Sequence, residues 1–297
     1  MRYLRSFRFP DGDAEWDYIL YQRRTCYDSL YPFGVLSSRG LQELELSGIT
    51  VLYRANGSGK TTALNVLAEA LGARRDARYN RSSFFEAYVS MCCVDASGEK
   101  PEECRFLASD DVFDFMLNIR AANEGLDTRR EALFREWTQD RSSPFRLRSM
   151  DDYDELRRVV EARSKTQSRF ARDNMSPNIR EHSNGESAYL FFTQHIHDNG
   201  LYLLDEPENS LSPEKQQQLA AFLEESVRFF GCQLVLATHS PFLLAMKGAK
   251  VYDLDSRPAA VRPWTELPQV RASYDFFQQH SAAFSRSGED GRRSEDE

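Results

Sequence analysis

The stretch GITVLYRANGSGKTTALNVLAEALG, residues 48–72, runs through three textures without a gap. Gly48–Tyr53 is an apolar, β-branched run and reads as a strand. RANGSGKTT, residues 54–62, is glycine-rich and polar. From Thr61 onward, Leu64, Leu67 and Leu71 recur at helical spacing, and Gly72 supplies a stop. A strand that passes through a glycine-rich loop into a helix N-terminus offers inward-turned backbone N–H groups and the positive end of a helix dipole, which suit a phosphate. Gly57 and Gly59, with Asn56 and Ser58 beside them, form the cradle; Lys60 places a point charge on the β- and γ-phosphates of a nucleotide. The Thr61 hydroxyl is a ligand for Mg²⁺, and Thr62 continues the first turn. One position departs from GxxxxGK[ST]: Arg54 stands where the first glycine belongs, so weaker nucleotide binding is expected, with Arg54→Gly restoring it.

Three further stretches carry chemistry. LYLLDEPENSLSP, residues 201–213, is an apolar strand ending in two acids. Asp205 at the strand tip suits the Mg²⁺ shell, and Glu206 suits the general base that polarises an attacking water. Ser212 is an N-cap followed by Pro213, opening a helix that ends before Gly231; Cys232–Thr238 is the next strand, so a βαβ unit and a parallel sheet follow. ATHSP, residues 237–241, puts His239 at that strand's end. HSNGES, residues 182–187, precedes the helical run AYLFFTQHI, and Ser183 with Glu186 has the spacing of a capping box.

Taken in order, RANGSGKTT, SNGES, LYLLDEPE, NSLSP and ATHSP resemble the motifs of ABC-type ATPase domains, most of all the small stand-alone bacterial ATPases of the RecF-like branch. The resemblance covers roughly residues 28–280. It implies an α/β P-loop fold, with a mostly parallel sheet, an antiparallel β portion and a helical lobe inserted at about 110–175 within a single domain, 1–284. It implies ATP bound by residues 56–62 (the Walker A loop) and Mg²⁺ held by Thr61 and Asp205, the latter in the Walker B strand. Glu206 would be the catalytic carboxylate, with Lys60 and His239 acting on the γ-phosphate. Ser183, Gly185 and Glu186 would face the γ-phosphate bound by the opposite subunit, and Leu211 and Ser212 would lie in a loop crossing between subunits. One set of motifs per chain implies a homodimer closing over two ATP molecules, an ATP-gated switch in DNA-associated work such as repair or anti-phage defence. Two other readings stay open: a nucleotide sensor with little turnover, suggested by Arg54, and a detached ATP-binding subunit of a transporter.

The expected Q-loop glutamine is missing, because no Gln lies between Lys60 and Thr138; Asp110 or Asp111 is the substitute. Tyr31 or Phe33 is the candidate adenine-stacking ring. No zinc-hook cysteines and no long heptad run accompany these motifs.

Composition sets the outer bounds. The 297 residues carry 38 Lys+Arg against 46 Asp+Glu, a net −8, which excludes a uniformly basic nucleic-acid coat. Residues 141–180 nevertheless carry ten basic and six acidic side chains. Arg163, Lys165, Arg169, Arg172 and Arg180 gather there around Asp173, so residues 163–180 are a candidate nucleic-acid contact; a protein encoded by a neighbouring gene is the other candidate partner. No apolar run reaches membrane-spanning length and no signal peptide opens the chain, so a cytoplasmic location is expected. The five cysteines lack metal-site spacing and read as reduced core thiols. RYLRSFRF and WDYILYQ near the start read as strands. Phe84–Val94 and Cys104–Ala108 read as paired strands across the turn Ala96–Glu99, and Val251–Leu254 as another strand. Helices are expected at 111–123, 128–137 and 151–172, and the polar segment from Ser285 as disordered.

Overall fold

The alternating segment after Tyr3 forms β1 (Leu4–Arg8), with Leu4 and Phe7 turned inward. A computed structural model describes residues 3–22, 26–27, 29–53, 59–76, 79–144, 153–179 and 183–285. WDYILYQ is not a strand: α1 (Gly12–Tyr21) takes it up, because the Asp11 carboxylate caps the helix by accepting from Ala14 N, and Asp13 and Glu15 favour the positive first turn. β2 (Glu43–Glu45) follows, then β3 (Ile49–Tyr53), buried at every position. α2 (Lys60–Leu71) runs from Gly59, at φ 113°, to Gly72, at φ 61°. Both end in the left-handed region that glycine enters without a Cβ clash.

The expected pairing of 84–94 with 104–108 is overturned. Phe85–Ser90 is helix α3, since Phe84, Phe85 and Tyr88 all enter the core, a spacing that a period-two strand does not satisfy. β4 (Cys93–Ala96) pairs antiparallel with β1 instead. β5 (Glu103–Ala108) leads into α4 (Ser109–Ser142), a single 34-residue helix where two were expected. Gly125 lies inside it without ending it; glycine weakens a helix interior by about 1 kcal/mol but stops a helix only where the chain turns left-handed. The third expected helix is two: α5 (Tyr153–Ser164) and α6 (Gln167–Asp173), separated where Thr166 accepts from Arg169 N and caps α6. α7 (Asn184–His195), β6 (Gly200–Asp205), α8 (Pro213–Phe229) and β7 (Gln233–Ala237) complete the expected βαβ grammar. α9 (Pro241–Leu244), β8 (Ala249–Asp253), β9 (Ala260–Val261), α10 (Pro268–Gln279) and α11 (Ser281–Ser285) close the described chain.

Two sheets result. β2-β1-β4 is antiparallel. The larger has the order β5-β6-β7-β3-β8-β9 and is parallel except for β9. β3 is therefore inserted between β7 and β8, and the ends of β3, β7 and β6 lie side by side. Parallel strands covered on both faces read as unbroken apolar runs, and here Leu52, Leu203, Leu204, Val235 and Leu236 are fully buried. Gln233 is a buried amide with all its hydrogen-bonding capacity used: Oε1 accepts from Tyr3 N and Leu4 N, while Nε2 donates to Leu4 O and Ser47 O. It ties β1 to the larger sheet.

The chain forms two compact units, Met1–Asp111 with Ala188–Glu297, and Val112–Ser187. The second has a small core of Leu133, Phe170 and Ala171, edged by Phe134, Trp137 and Met175. Cys26 and Cys93 are exposed and only Cys232 is buried, so the cysteines are not uniformly core thiols; a short β4 that is exposed throughout puts Cys93 outside. Arg54, Asn56, Gly57, Ser58, Asp151, Arg180, His182 and the tail 286–297 lie outside the described residues. Among the described residues, no helix is long and apolar enough to cross a membrane.

Candidate nucleotide site

The ends of β3, β6 and β7 gather the titratable side chains of the site. Backbone bonds align them: Glu206 N donates to Ala237 O (2.9 Å) and Thr238 N to Leu52 O (3.3 Å). Lys60 and Thr61 open α2 directly after the loop. Lys60 is 5% exposed, and its Nζ lies 3.3 Å from Glu206 Oε1. The Thr61 hydroxyl donates to Asp205 Oδ1 across 3.3 Å. These four residues, far apart in sequence, thus form two contacts between the start of α2 and the tip of β6.

Charge is crowded here. Burial pushes the Asp205 carboxyl up to about 6; the Thr61 hydrogen bond opposes this, Glu206 adds repulsion, Lys60 attracts, and Glu208 repels. A buried acid flanked by two others, with one lysine nearby, is short of positive charge. The hard oxygen donors Thr61 and Asp205 therefore fit Mg²⁺, which takes only one or two protein ligands and completes its shell with phosphate and water. Among the described residues no cluster of three or more His, Cys, Asp or Glu side chains could hold a metal.

Glu206 sits at φ 48° and Ser210 at φ 68°, left-handed conformations that disfavour residues with a Cβ. The turn is held by Asn209 N to Glu206 O (3.1 Å), Leu211 N to Glu208 O (3.0 Å) and Asn209 Nδ2 to Glu206 Oε2 (3.2 Å). His239 follows β7, and its backbone N donates to Glu208 Oε1 at 2.8 Å. Its Nδ1 is 3.1 Å from the same oxygen but off the line of a hydrogen bond. Ser240 Oγ donates to Gln216 Oε1 at 2.7 Å, and Gln216 Nε2 donates to Leu211 O at 3.0 Å.

Glu208 and Gln216 escaped sequence reasoning. Glu208 had a signal, a third acid within DEPE on a segment otherwise assigned residue by residue. Gln216 had none, since its contact with Ser240 bridges 24 residues. Arg75 was also missed; its guanidinium lies 3.9 Å from the Tyr79 ring centre and 4.2 Å from that of Phe106, and burial lowers its pKa.

The other expected residues are placed as follows. Ser183 and Glu186 form the capping box: Glu186 N donates to Ser183 Oγ (3.4 Å) and Ser183 N to Glu186 Oε2 (3.2 Å). They and Gly185 belong to the second compact unit. Thr62 accepts from the Tyr31 hydroxyl at 3.1 Å, which puts Tyr31 beside the first turn of α2. Phe33 is not a stacking platform: it is buried, stacked on Tyr18 at 4.6 Å and met edge-on by Tyr88 at 5.0 Å. Asp111 caps the start of α4, accepting from Ala108 N at 2.7 Å. The basic strip is partly spent, because Lys165 pairs with Asp173 (2.7 Å) and Glu161 (2.8 Å), and Arg163 donates to Ser143 O (2.8 Å).

Strand β3 followed by helix α2 in a parallel sheet, with acids at the tip of β6 two strands away, defines the class: a P-loop fold. Residues 177–245 match the family model described as "AAA domain, putative AbiEii toxin, Type IV TA system", which supports the resemblance to ABC-type, RecF-like ATPases. No curated protein matches the chain. Among solved structures, one titled "An inward-facing conformation of a putative metal-chelate type ABC transporter" is 16% identical, covering 75% of this chain and 76% of its own, with a TM-score of 0.34. The SMC head domain from Thermotoga maritima is 11% identical, covering 89% of this chain and 99% of its own, with a TM-score of 0.35. Both likenesses are distant.

Proposed function

We propose that the chain binds ATP at the loop before α2 and hydrolyses its γ-phosphate. The observation that carries this reading is the pair of contacts Lys60–Glu206 and Thr61–Asp205, which joins the helix after the loop to the acids at the tip of β6. Residues 56–62 cradle the phosphates, and Lys60 exchanges the Glu206 carboxylate for phosphate oxygens when nucleotide enters. That exchange frees Glu206 to take a proton from water. The water oxygen bonds to the γ-phosphorus as the bond from that phosphorus to the β–γ bridging oxygen breaks, and ADP leaves. Thr61 and Asp205 would hold Mg²⁺, which supplies charge neutralisation on the phosphates. His239 contacts the γ-phosphate and orients the water.

By resemblance, two copies close over two ATP molecules, with Ser183, Gly185 and Glu186 of one copy completing the site of the other. The arginines of 163–180 then offer phosphate contacts to DNA or RNA. The test is turnover and mass together. Glu206→Gln should abolish hydrolysis while ATP drives a monomer-to-dimer shift in light scattering. Wild-type turnover in Glu206→Gln overturns the assigned base; ATP binding without any turnover in wild type favours the sensor reading. A gel shift at low salt, with and without a non-hydrolysable ATP analogue, tests nucleic acid, and no retention in either arm removes it. Co-purification with a membrane protein would favour the transporter subunit.

A further inference from the structure

Among the described residues six buried polar side-chain atoms have no hydrogen-bond partner, and two of them belong to neighbouring side chains: Glu208 Oε2 and His239 Nδ1. Buried acceptors and donors are nearly always paired, so two orphans side by side mark a contact held ready. Glu208 is 5% exposed and carries only part of its capacity, since Oε1 takes the His239 backbone N–H at 2.8 Å and Oε2 takes nothing. The segment that carries it is braced by the left-handed residues Glu206 and Ser210 on either side, and conformations of this kind persist where the surroundings over-determine them. The hydrogen bond from the His239 backbone N–H holds Glu208 beside His239.

We propose that Glu208 is the positioning residue of His239: its carboxylate holds the backbone N–H and the Nδ1 edge of the same residue, so that Nδ1 carries a proton and Nε2, across the ring, is the nitrogen presented to the nucleotide. A carboxylate 3.1 Å from Nδ1 favours a proton on that nitrogen, because a bare lone pair facing an anion is repelled. A small rotation of either side chain turns the off-line contact with Oε1 into a hydrogen bond and gives Nδ1 a partner. A carboxylate behind a working imidazole fixes its tautomer and its direction, as it does behind metal-bound histidines. Glu208 itself touches no reacting atom in this scheme. Its catalytic consequence rests on the ATPase reading above; the tautomer does not.

The experiment uses the full chain labelled with ¹⁵N-histidine. Long-range ¹⁵N–¹H spectra of wild type should show the His239 ring protonated at Nδ1, and Glu208→Gln should shift the population toward Nε2–H. In steady-state assays Glu208→Gln should lose about 10- to 100-fold in kcat, the range for removal of an outer-shell partner, with KM for ATP changed less than about threefold. Glu208→Asp should recover part of the loss. The double variant Glu208→Gln/His239→Ala should be no slower than His239→Ala alone. An Nε2–H ring in wild type, an unchanged tautomer in Glu208→Gln, or losses that multiply in the double variant would each overturn the proposal. Should Glu208→Gln not fold, wild type and Glu208→Asp carry the tautomer test. If wild type binds ATP but shows no turnover, the ATPase reading fails and the tautomer result still judges Glu208.

Discussion

The strand tips and the Val112–Ser187 unit are built from the same residue alphabet and stabilised differently. β3, β6 and β7 are buried at every residue, so charge is admitted only where a strand ends. Asp205 and Glu206 therefore stand out against an apolar background. In α5, by contrast, only Val159 and Ala162 are buried among twelve residues, and six of the other ten are charged. Where apolar burial is dense, a charged side chain is informative; where it is sparse, charges are ordinary surface and say little.

The largest effect that sharpens this contrast is chemical. Glu206→Gln should lower turnover by about 100- to 10,000-fold, the range for a positioned general base, while leaving the fold intact by circular dichroism.

Next comes core packing. Leu203→Ala, in the sheet, should cost about 4 kcal/mol, while Phe170→Ala, in a core of three buried residues, should cost about 2 because its half-buried edge can collapse. Urea denaturation measures both, and equal costs would erase the distinction.

Asp205 supplies a pH-dependent test of similar size. Its folded pKa, about 6, lies above the ordinary 3.8, so the folded state binds more protons, and stability falls as pH rises from about 4 to 6. Asp205→Asn should therefore stabilise the nucleotide-free protein by up to about 3 kcal/mol at pH 8, and by nothing near pH 3.5. Melting at the two pH values checks it, and equal shifts would break the account. Smallest is Ser183→Ala, which removes a cap and should cost about 1 kcal/mol, read as faster amide exchange in the first turn of α7.

Legibility followed the same contrast. The β3–loop–α2 run, the β6–α8–β7 unit and the capping box were readable because each signal is local: periodicity, a capping residue, a glycine stop. WDYILYQ was misread because the Asp11 cap outweighs its β-forming residues. Phe84–Val94 was misread because Phe85–Ser90 is helical, and the strand that begins at Cys93 pairs with β1, some ninety residues away, and not with the neighbour in sequence. Of the expected site residues, Lys60 and Thr61 open α2 while Asp205, Glu206 and His239 stand at or just after the ends of β6 and β7, whereas Glu208 and Gln216 make contacts that local spacing does not encode.

By itself, the sequence determined that a strand leads through a glycine-rich stretch into a helix and that acids end a buried strand, because these depend on chemistry within a few residues. Only the tertiary structure decided that β3 lies between β7 and β8, and hence that Lys60 meets Glu206 while Glu208 meets His239. The reason is strand order. Neighbours in a parallel sheet are chosen by burial on both faces and by crossover geometry, and neither is written in any single segment.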